Sequence, residues 1–326
     1  MLRYWRKRGA EEYGGRFQTE TEKTLSNYGK LCYNLAYVMY DKIEWIDGRR
    51  TEGFLPFLCE KGRQSVFRAR EYVKVKSLEE AYQLNQKKSA LVVGGMMWVK
   101  MAMFQKMTVV DLSGLGLDGI EETDEEFQIG CMCTLRDLEL HPGLKATFGM
   151  PGSGESLMKA CTRHIVGVQF RNCATVGGSI FGRFGFSDVM TAMMALDTYV
   201  ELYQGGIVPL AEFVDRPRDN DILVRIIIKK DDRRAAYVSQ RLSKTDFPQI
   251  AVAVSKTGDT WNVAIGARPS KARLVQVSAA GPYTALAESA VSQFSFGSNL
   301  RGSGEYREAL AKVYVRRLME QIGEVE

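Results

Sequence analysis

Hydrophobic and polar positions follow a clear pattern from Tyr72 onward. Residues 72–75 alternate as in a short β-strand, and residues 77–80, Ser-Leu-Glu-Glu, have the spacing of a helix N-terminal capping box. The continuous apolar run of residues 90–93 predicts a buried strand that ends in a Gly-Gly pair. This order predicts a backbone turn presented to a ligand at the end of a strand, without the GxGxxG spacing of a Rossmann site.

The pattern after Asp188 mixes helices and strands without regular alternation. A helix over residues 189–196 precedes a series of short apolar strands between residues 199 and 277. Two amphipathic helices, at residues 283–292 and 306–322, complete the series. Because strands cluster rather than alternate with helices, the sequence predicts an α+β fold and not a doubly wound sheet.

A glycine-rich and hydroxyl-rich stretch, RNCATVGGSIFGRFGFSD, occupies residues 171–188. Gly177 and Gly178 have no Cβ, so the backbone can approach a ligand closely and adopt positive φ. Backbone N–H groups in such a turn can surround an anion such as a diphosphate. The residues equally fit a tight turn followed by a core helix that Ser187 caps.

Composition and charge exclude several classes of protein. The 326 residues are 45% hydrophobic and 25% charged, and no run of about eighteen apolar residues predicts a membrane span. The N-terminus lacks the apolar segment of a secretory signal, so a cytoplasmic protein is expected. Residues 1–70 carry the whole net charge of +5, with 14 Lys and Arg against 9 Asp and Glu, so no nucleic-acid surface is predicted.

Cysteines and histidines provide little material for a metal or catalytic site. The spacing of Cys131 and Cys133 is too short for common zinc motifs, and both are predicted as buried thiols on one face of a strand. The chain has two histidines, His141 and His164, and no hydrolase or phosphate-loop motif. The sequence therefore predicts no metal ligands and no catalytic side chains. It favours either a protein whose chemistry is carried by a bound cofactor or a protein without catalytic activity.

The two glycine segments resemble those of the FAD-binding subunit of the molybdenum hydroxylases, the xanthine dehydrogenase and aerobic carbon monoxide dehydrogenase relatives. LVVGGMMWVKM is similar to the family's first loop, V-x-G-G-T-x-L. RNCATVGGSI, with Ser187-Asp188 and MALDTYVEL, is similar to its second, R-N-x-A-T-x-G-G-N-I. IGARPSKARLVQ and RGSGEYREALAKVYVRR resemble its last domain. The match runs from Tyr72 to the C-terminus, and residues 1–70 have no counterpart.

The resemblance implies a two-subdomain FAD-binding fold of the PCMH/vanillyl-alcohol-oxidase type, followed by a small α+β C-terminal domain. It implies FAD-binding subdomains at residues 71–125 and 126–232, and residues 1–70, which have no counterpart, are predicted to be an N-terminal extension. The C-terminal flavoprotein domain would be residues 233–326.

The resemblance also implies a function, that of an FAD-binding electron-transfer subunit. Such a subunit receives electrons from an iron–sulfur subunit, which a molybdopterin subunit supplies, and passes them through FAD to an acceptor such as NAD. The alternatives are a stand-alone FAD-dependent reductase or oxidase of similar fold, and a binding or assembly protein that has lost FAD.

The residues that match the family's FAD-binding positions lie in the two loops and one later strand. They are Val93, Gly94, Gly95, Met96, Met97, Trp98, Ala174, Thr175, Gly177, Gly178, Ser179, Phe181, Ser187, Asp188 and Leu223. Asp188 would bind sugar hydroxyls, and Leu223 would lie against the flavin ring. Met96 replaces the family's Thr and Ser179 its Asn, so backbone groups would provide most of the phosphate contacts.

Overall fold

Three β-sheets organise the part of the chain that the computed structural model describes, residues 67–102 and 104–324. The predicted N-terminal extension therefore lies outside the described residues, except for residues 67–70. The strands are β1 Arg68–Lys74, β2 Ala90–Val93, β3 Gln105–Asp111, β4 Ile120–Glu122, β5 Glu126–Gly130, β6 Thr198–Leu202, β7 Gly206–Pro209, β8 Leu223–Lys229, β9 Arg234–Gln240, β10 Ile250–Thr257, β11 Thr260–Gly266 and β12 Arg273–Ser278.

The helices connect and cover these sheets. They are α1 Leu78–Asn85, α2 Leu135–Leu140, α3 Pro142–Thr147, α4 Leu157–Thr162, α5 Val168–Arg171, α6 Val176–Phe181, α7 Asp188–Met194, α8 Leu210–Asp215, α9 Tyr283–Val291 and α10 Gly304–Gly323, with a short 3₁₀ helix at Val99–Met101. The helices predicted after Asp188 and near the C-terminus are confirmed, with ends shifted by one or two residues. No helix in the described residues is both long enough and apolar enough to cross a membrane.

The first sheet is parallel and has the strand order β1-β3-β2. Helix α1 connects β1 to β2, and the Ser77 side chain caps it by accepting a hydrogen bond from the Glu80 N–H at 3.1 Å. In a capping box the Glu80 carboxylate would accept a hydrogen bond from the Ser77 N–H. Here it accepts from the N–H of the preceding residue, Lys76, at 2.8 Å. This strand, helix and strand place Gly94 and Gly95 directly after the end of β2, as the sequence predicts.

The second sheet is antiparallel and has the order β4-β5-β8-β6-β7. Strand β8 forms its centre, where the apolar run Ile226 to Ile228 is buried. Strand β4 precedes residue 125 yet pairs with β5, so this sheet begins before the boundary proposed between the two subdomains.

The third sheet is an antiparallel meander, β12-β11-β10-β9, buried on both faces at its centre. In β10, Val252 and Val254 belong to the core that helices α9 and α10 cover, whereas Ala251 and Ala253 belong to the main core on the other side. Since successive side chains of a strand point to opposite faces, this alternation gives one bulky face and one small face. The small alanine face permits close packing of helix α7 against β10.

The two neighbouring cysteines lie in a turn, which corrects the prediction that they share one face of a strand. Strand β5 ends at Gly130, whose missing side chain leaves room for the Leu117 carbonyl oxygen at 2.1 Å from an ideal Cβ position. Cys131 and Cys133 follow it and are buried, as predicted, and burial raises the pKa of each thiol to about 12. Both thiols therefore stay protonated at neutral pH, and the described residues contain no cluster of potential metal ligands.

Candidate functional site

The first glycine loop presents a row of backbone N–H groups. Val93, buried at the end of β2, leads into Gly94 and Gly95, and none of the N–H groups from Gly94 to Met97 donates a backbone hydrogen bond within the described residues. Met96 adopts a left-handed conformation with φ of 55°, which is uncommon for a residue with a side chain. Successive unpaired N–H groups with a left-handed residue among them form a concavity that suits an anion.

The two glycine loops touch each other directly. An ideal Cβ on Gly94 would lie 2.2 Å from Thr175 Oγ1, and one on Gly95 would lie 1.5 Å from the Cys173 carbonyl oxygen. Real Cβ atoms never approach other atoms so closely, so any side chain at Gly95 would force the loops apart. The fold therefore brings together the two sequence segments that were predicted to share one ligand.

The second Gly-Gly pair lies in a helix, which corrects the prediction of a tight turn with positive φ. Thr175 caps helix α6, its Oγ1 accepting from the Gly178 N–H at 3.2 Å, and neither Gly177 nor Gly178 has positive φ. The close approach required of Gly177 is to protein, because an ideal Cβ there would lie 2.5 Å from the Cys131 carbonyl oxygen.

Gly178 faces outward on the same helix. It is exposed, and an ideal Cβ would meet only Thr175 Oγ1, at 3.2 Å. Of the two glycines, Gly178 is thus the one whose missing side chain leaves the helix surface open to a ligand.

The hydroxyl groups of the second loop form a chain of hydrogen bonds to the backbone. Ser179 Oγ donates to the Thr175 carbonyl at 3.3 Å, and Ser187 Oγ donates to the Ser179 carbonyl at 3.1 Å. Ser187 also caps helix α7 by accepting from the Met190 N–H at 3.2 Å, as the cap interpretation predicts. These bonds hold the end of α6 against the start of α7.

Asp188 is buried and faces the third sheet. Its side-chain oxygen accepts hydrogen bonds from the Tyr237 hydroxyl and from the Arg241 guanidinium, both on or just after strand β9. Burial raises the pKa of Asp188, and the charge and hydrogen bonds of Arg241 and Tyr237 oppose that rise. The residue predicted to contact sugar hydroxyls is thus already bound by two side chains of its own protein.

Three other predicted residues lie in the packing around the loops. Ala174 is 8% exposed, and its carbonyl accepts from the Leu135 N–H at 2.8 Å, which ties the second loop to helix α2. Phe181 is half-buried at the end of α6, with its ring 6.1 Å from that of Phe213. Leu223 is buried at the start of β8, in the main core, rather than among the residues where the loops touch.

An aromatic cluster beside the first loop was missed in the sequence. Trp98 packs edge-on against Phe170 at 4.9 Å between ring centroids and stacks on Phe247 at 5.3 Å with an interplanar angle of 28°. Phe186 meets Phe247 edge-on at 4.6 Å. Phe247 and Phe186 were not distinguished from core phenylalanines by any local pattern, because the contact joins segments far apart along the chain.

Two clefts of the described residues lie away from the glycine loops. One, of about 420 Å³, is on the outer face of the second sheet and is lined by charged residues of β5, β6 and β8. Another, of about 200 Å³, lies at one end of β9 and β10. No residue of the glycine loops lines either cleft.

The arrangement as a whole suits binding of a diphosphate by backbone groups. It offers free N–H groups on one loop, an open glycine on the other and close contact between them. His141 caps helix α3 and His164 accepts a hydrogen bond from Arg163 at 3.1 Å, so neither histidine belongs to the loops. The chemistry that this site supports is therefore that of a bound cofactor.

Comparison with known proteins gives a family and a set of similar structures. Residues 65–230 match the family described as the FAD binding domain in molybdopterin dehydrogenase. The chain is 28% identical over 216 residues to the uncharacterized protein YgfM of Escherichia coli strain K12, covering 65% of this chain and 79% of that protein.

The solved structures show the same fold at lower identity. A chain of carbon monoxide dehydrogenase from Hydrogenophaga pseudoflava is similar with a TM-score of 0.68 at 22% identity, over 78% of this chain and 97% of that chain. A chain of quinoline 2-oxidoreductase from Pseudomonas putida 86 is similar with a TM-score of 0.66 at 19% identity, over 79% and 96%. The predicted α+β fold class is confirmed by this likeness.

Proposed function

The chain belongs to the family of FAD-binding domains of molybdopterin dehydrogenases, and we propose that it is the FAD-binding electron-transfer subunit of a molybdopterin-dependent hydroxylase or dehydrogenase complex. The two-subdomain FAD-binding fold of the PCMH type and FAD as the cofactor are established by this membership. The direction of electron flow, the partners and the acceptor belong to the proposal.

The contact between the two glycine loops carries the proposal. Gly95 lies against the Cys173 carbonyl so closely that an ideal Cβ would be 1.5 Å from its oxygen. Ideal Cβ atoms on Gly94 and on the exposed Gly178 would both lie near Thr175 Oγ1, at 2.2 and 3.2 Å, which supports one ligand shared by the N–H groups of residues 94–97 and the Gly178 surface. We assign the diphosphate of FAD to the N–H groups of residues 94–97 and the surface at Gly178. The hydrogen bonds of the Thr175 and Ser179 side chains stabilise the second loop.

The remaining assignments follow from the same site. Residues 71–125 and 126–232 are the two proposed FAD-binding subdomains, and residues 233–326 are the proposed C-terminal flavoprotein domain. FAD, when bound, supplies the one-electron and two-electron chemistry, and the protein binds and orients it. Met97 and Phe181 are the proposed side-chain contacts around the loops, and Trp98 is proposed to contribute through its backbone. Asp188 is proposed to orient the start of helix α7 through its bonds with Tyr237 and Arg241.

The partners are an iron–sulfur subunit that donates electrons and a molybdopterin subunit that oxidises the substrate. The acceptor is a soluble oxidant such as NAD, and the cytoplasm is the proposed location. The likeness to nearly the whole of single chains of carbon monoxide dehydrogenase and quinoline 2-oxidoreductase supports the proposal of partner subunits, because the chain corresponds to one chain of each enzyme.

Purification of the full chain tests the cofactor assignment. We expect a yellow protein with a flavin absorbance band that releases about one FAD per chain on denaturation, since one pair of loops binds one diphosphate. A colourless protein that takes up no added FAD would contradict the proposal.

Purification from the native host tests the partners and the acceptor. We expect iron–sulfur and molybdopterin subunits to co-purify with a tagged chain, and anaerobic reduction followed by NAD⁺ to restore the oxidised flavin spectrum. A flavoprotein that elutes alone and is active alone would instead support a stand-alone reductase or oxidase.

A further inference from the structure

Trp98 and Phe247 form an aromatic contact between the first glycine loop and the third sheet. Their rings stack 5.3 Å apart at 28°, and both residues are half-buried, so the pair lies at the protein surface. Phe247 comes from the segment between β9 and β10, and Trp98 comes directly after the free N–H groups of the loop. The contact therefore closes the space beside the proposed diphosphate site.

Phe247 is held in place by its neighbours. Its N–H donates to Asp246 Oδ1 at 2.7 Å, and the same oxygen pairs with Arg301 at 2.9 Å. The Arg301 guanidinium lies 5.2 Å from the centre of the Phe247 ring, within the range of a cation–π contact. Phe186 supports the ring from its edge at 4.6 Å.

Trp98 lies in an irregular segment. Its ring packs edge-on against Phe170 at 4.9 Å as well as on Phe247, and the helix that follows it is a 3₁₀ helix of three residues, Val99–Met101. The loop before it contains the left-handed Met96 and two glycines, which allow the backbone to change direction. Of the two stacked rings, that of Phe247 has the ion-paired segment and the cation–π contact, so we take the Trp98 ring as the one that moves, which also releases its edge contact with Phe170.

We propose that Trp98 is a gate for one ring system of FAD, which stacks on Phe247 in place of the Trp98 indole. This inference rests on the proposed function, because it requires FAD at the glycine loops. FAD carries flat aromatic rings on both sides of its diphosphate, and a diphosphate on residues 94–97 brings one of them to the aromatic cluster. Stacking on a pre-positioned phenylalanine favours a flat ring over a flexible chain.

The proposal predicts opposite effects on FAD binding for substitutions of Phe247 and of Trp98. Phe247→Leu removes the stacking surface but keeps an apolar side chain, so FAD should bind about tenfold more weakly. Trp98→Ala removes the group that competes for that surface, so FAD should associate several-fold faster and bind at least as tightly. Tyr306→Leu, at an aromatic residue 42% exposed on helix α10, is the control and should change neither quantity.

The measurement is FAD titration of the purified full chain, stripped of flavin, by quenching of flavin fluorescence and by stopped-flow mixing. In the wild type, Trp98 emission should also change when FAD binds, and the Trp98→Phe variant should lack that change. Trp5, Trp45 and Trp261, the last buried in the third sheet, remain in that variant and provide the background emission. Circular dichroism and thermal melts establish that each variant folds, and Trp98→Leu replaces Trp98→Ala if the latter does not.

The outcomes separate this inference from the proposed function. If the wild-type protein binds no FAD, both the proposed function and the gate are wrong. FAD binding that is unchanged by Phe247→Leu overturns the gate alone. Weakening by Trp98→Ala that matches the weakening by Phe247→Leu also overturns it, because Trp98 would then be a permanent contact.

Discussion

At the scale of single residues, the two neighbouring glycines of helix α6 have different roles. An ideal Cβ on Gly177 would lie 2.5 Å from the Cys131 carbonyl oxygen, whereas one on Gly178 would lie 3.2 Å from Thr175 Oγ1 and otherwise in open space. Gly177 is therefore required by the packing of the helix on the turn after β5. Gly178 is free to serve a ligand.

Replacement of each glycine by valine separates these roles. Gly177→Val should destabilise the protein by about 2 kcal/mol or more, because backbone atoms must move to admit the side chain. Gly178→Val should lower the melting temperature clearly less than Gly177→Val, because only the Thr175 hydroxyl must shift, and should reduce FAD affinity more than about tenfold. Thermal melts and FAD titration measure the two effects, and unchanged FAD binding by Gly178→Val would show that the diphosphate lies elsewhere.

At the scale of elements, a buried ion pair connects helices α2 and α5 and so positions the second loop. Arg171 Nε lies 2.9 Å from Glu139 Oε2, and both side chains are about 5% exposed, at 5% and 4%. Burial by itself would raise the pKa of Glu139, but the hydrogen bonds and charges of Arg171 and Arg136 hold it below its usual value. Glu139 is therefore charged in the folded protein, and it is the counter-ion of the buried Arg171.

Glu139→Gln should destabilise the protein by about 3 kcal/mol at neutral pH, because it leaves Arg171 buried without a counter-ion. Since the folded-state pKa is lowered, the carboxylate's contribution is complete above its unfolded pKa of about 4.3. It is lost as the pH falls through the lower folded-state pKa. The difference in unfolding free energy between wild type and Glu139→Gln should thus shrink in acid.

Glu155→Gln is the matched control for this measurement. Glu155 pairs with Arg163 at 2.8 Å, but the Arg163 side chain is 47% exposed, so the loss should be at most about 1 kcal/mol. Equal losses in the two variants, by chemical denaturation, would contradict the importance of the buried pair.

At the scale of the whole molecule, Asp188, Tyr237 and Arg241 join the second loop to the third sheet. The ion pair of Asp188 and Arg241 is 6% and 7% exposed, and it links residues 53 positions apart. Around it, the alanine face of β10 packs on helix α7. The orientation of the third sheet, and with it the position of Phe247, depends on this buried group.

A double-mutant cycle measures that dependence. Asp188→Asn and Arg241→Met should each destabilise by about 3 kcal/mol, and the double variant by clearly less than the sum, since it leaves no unpaired buried charge. The control cycle at Glu201 and Arg225, whose side chains are about one third exposed at 34% and 33%, should show coupling below about 1 kcal/mol. Additive losses at Asp188 and Arg241 would show that the pair does not couple the two regions.

The sequence by itself determined the types of most elements and the identity of the glycine loops. Periodicity reflects which face of a strand or helix is buried. The strand, helix and strand that precede Gly94 and the strands after Asp188 were therefore predicted correctly, whereas the short helix α8 was missed. The residues of the two loops were sufficient to indicate the family, and the match of residues 65–230 confirms it.

Tertiary structure alone decided which groups those residues meet. Gly177 admits no side chain because the Cys131 turn lies against it, Asp188 is bound by Tyr237 and Arg241, and Trp98 stacks on Phe247. The physical reason is that local pattern encodes burial and propensity, whereas these contacts form only when distant segments pack together. The first Gly-Gly pair was correctly predicted as a loop at the end of a strand, whereas the second was predicted as a turn and lies in helix α6, so the orientation of each glycine required the folded chain.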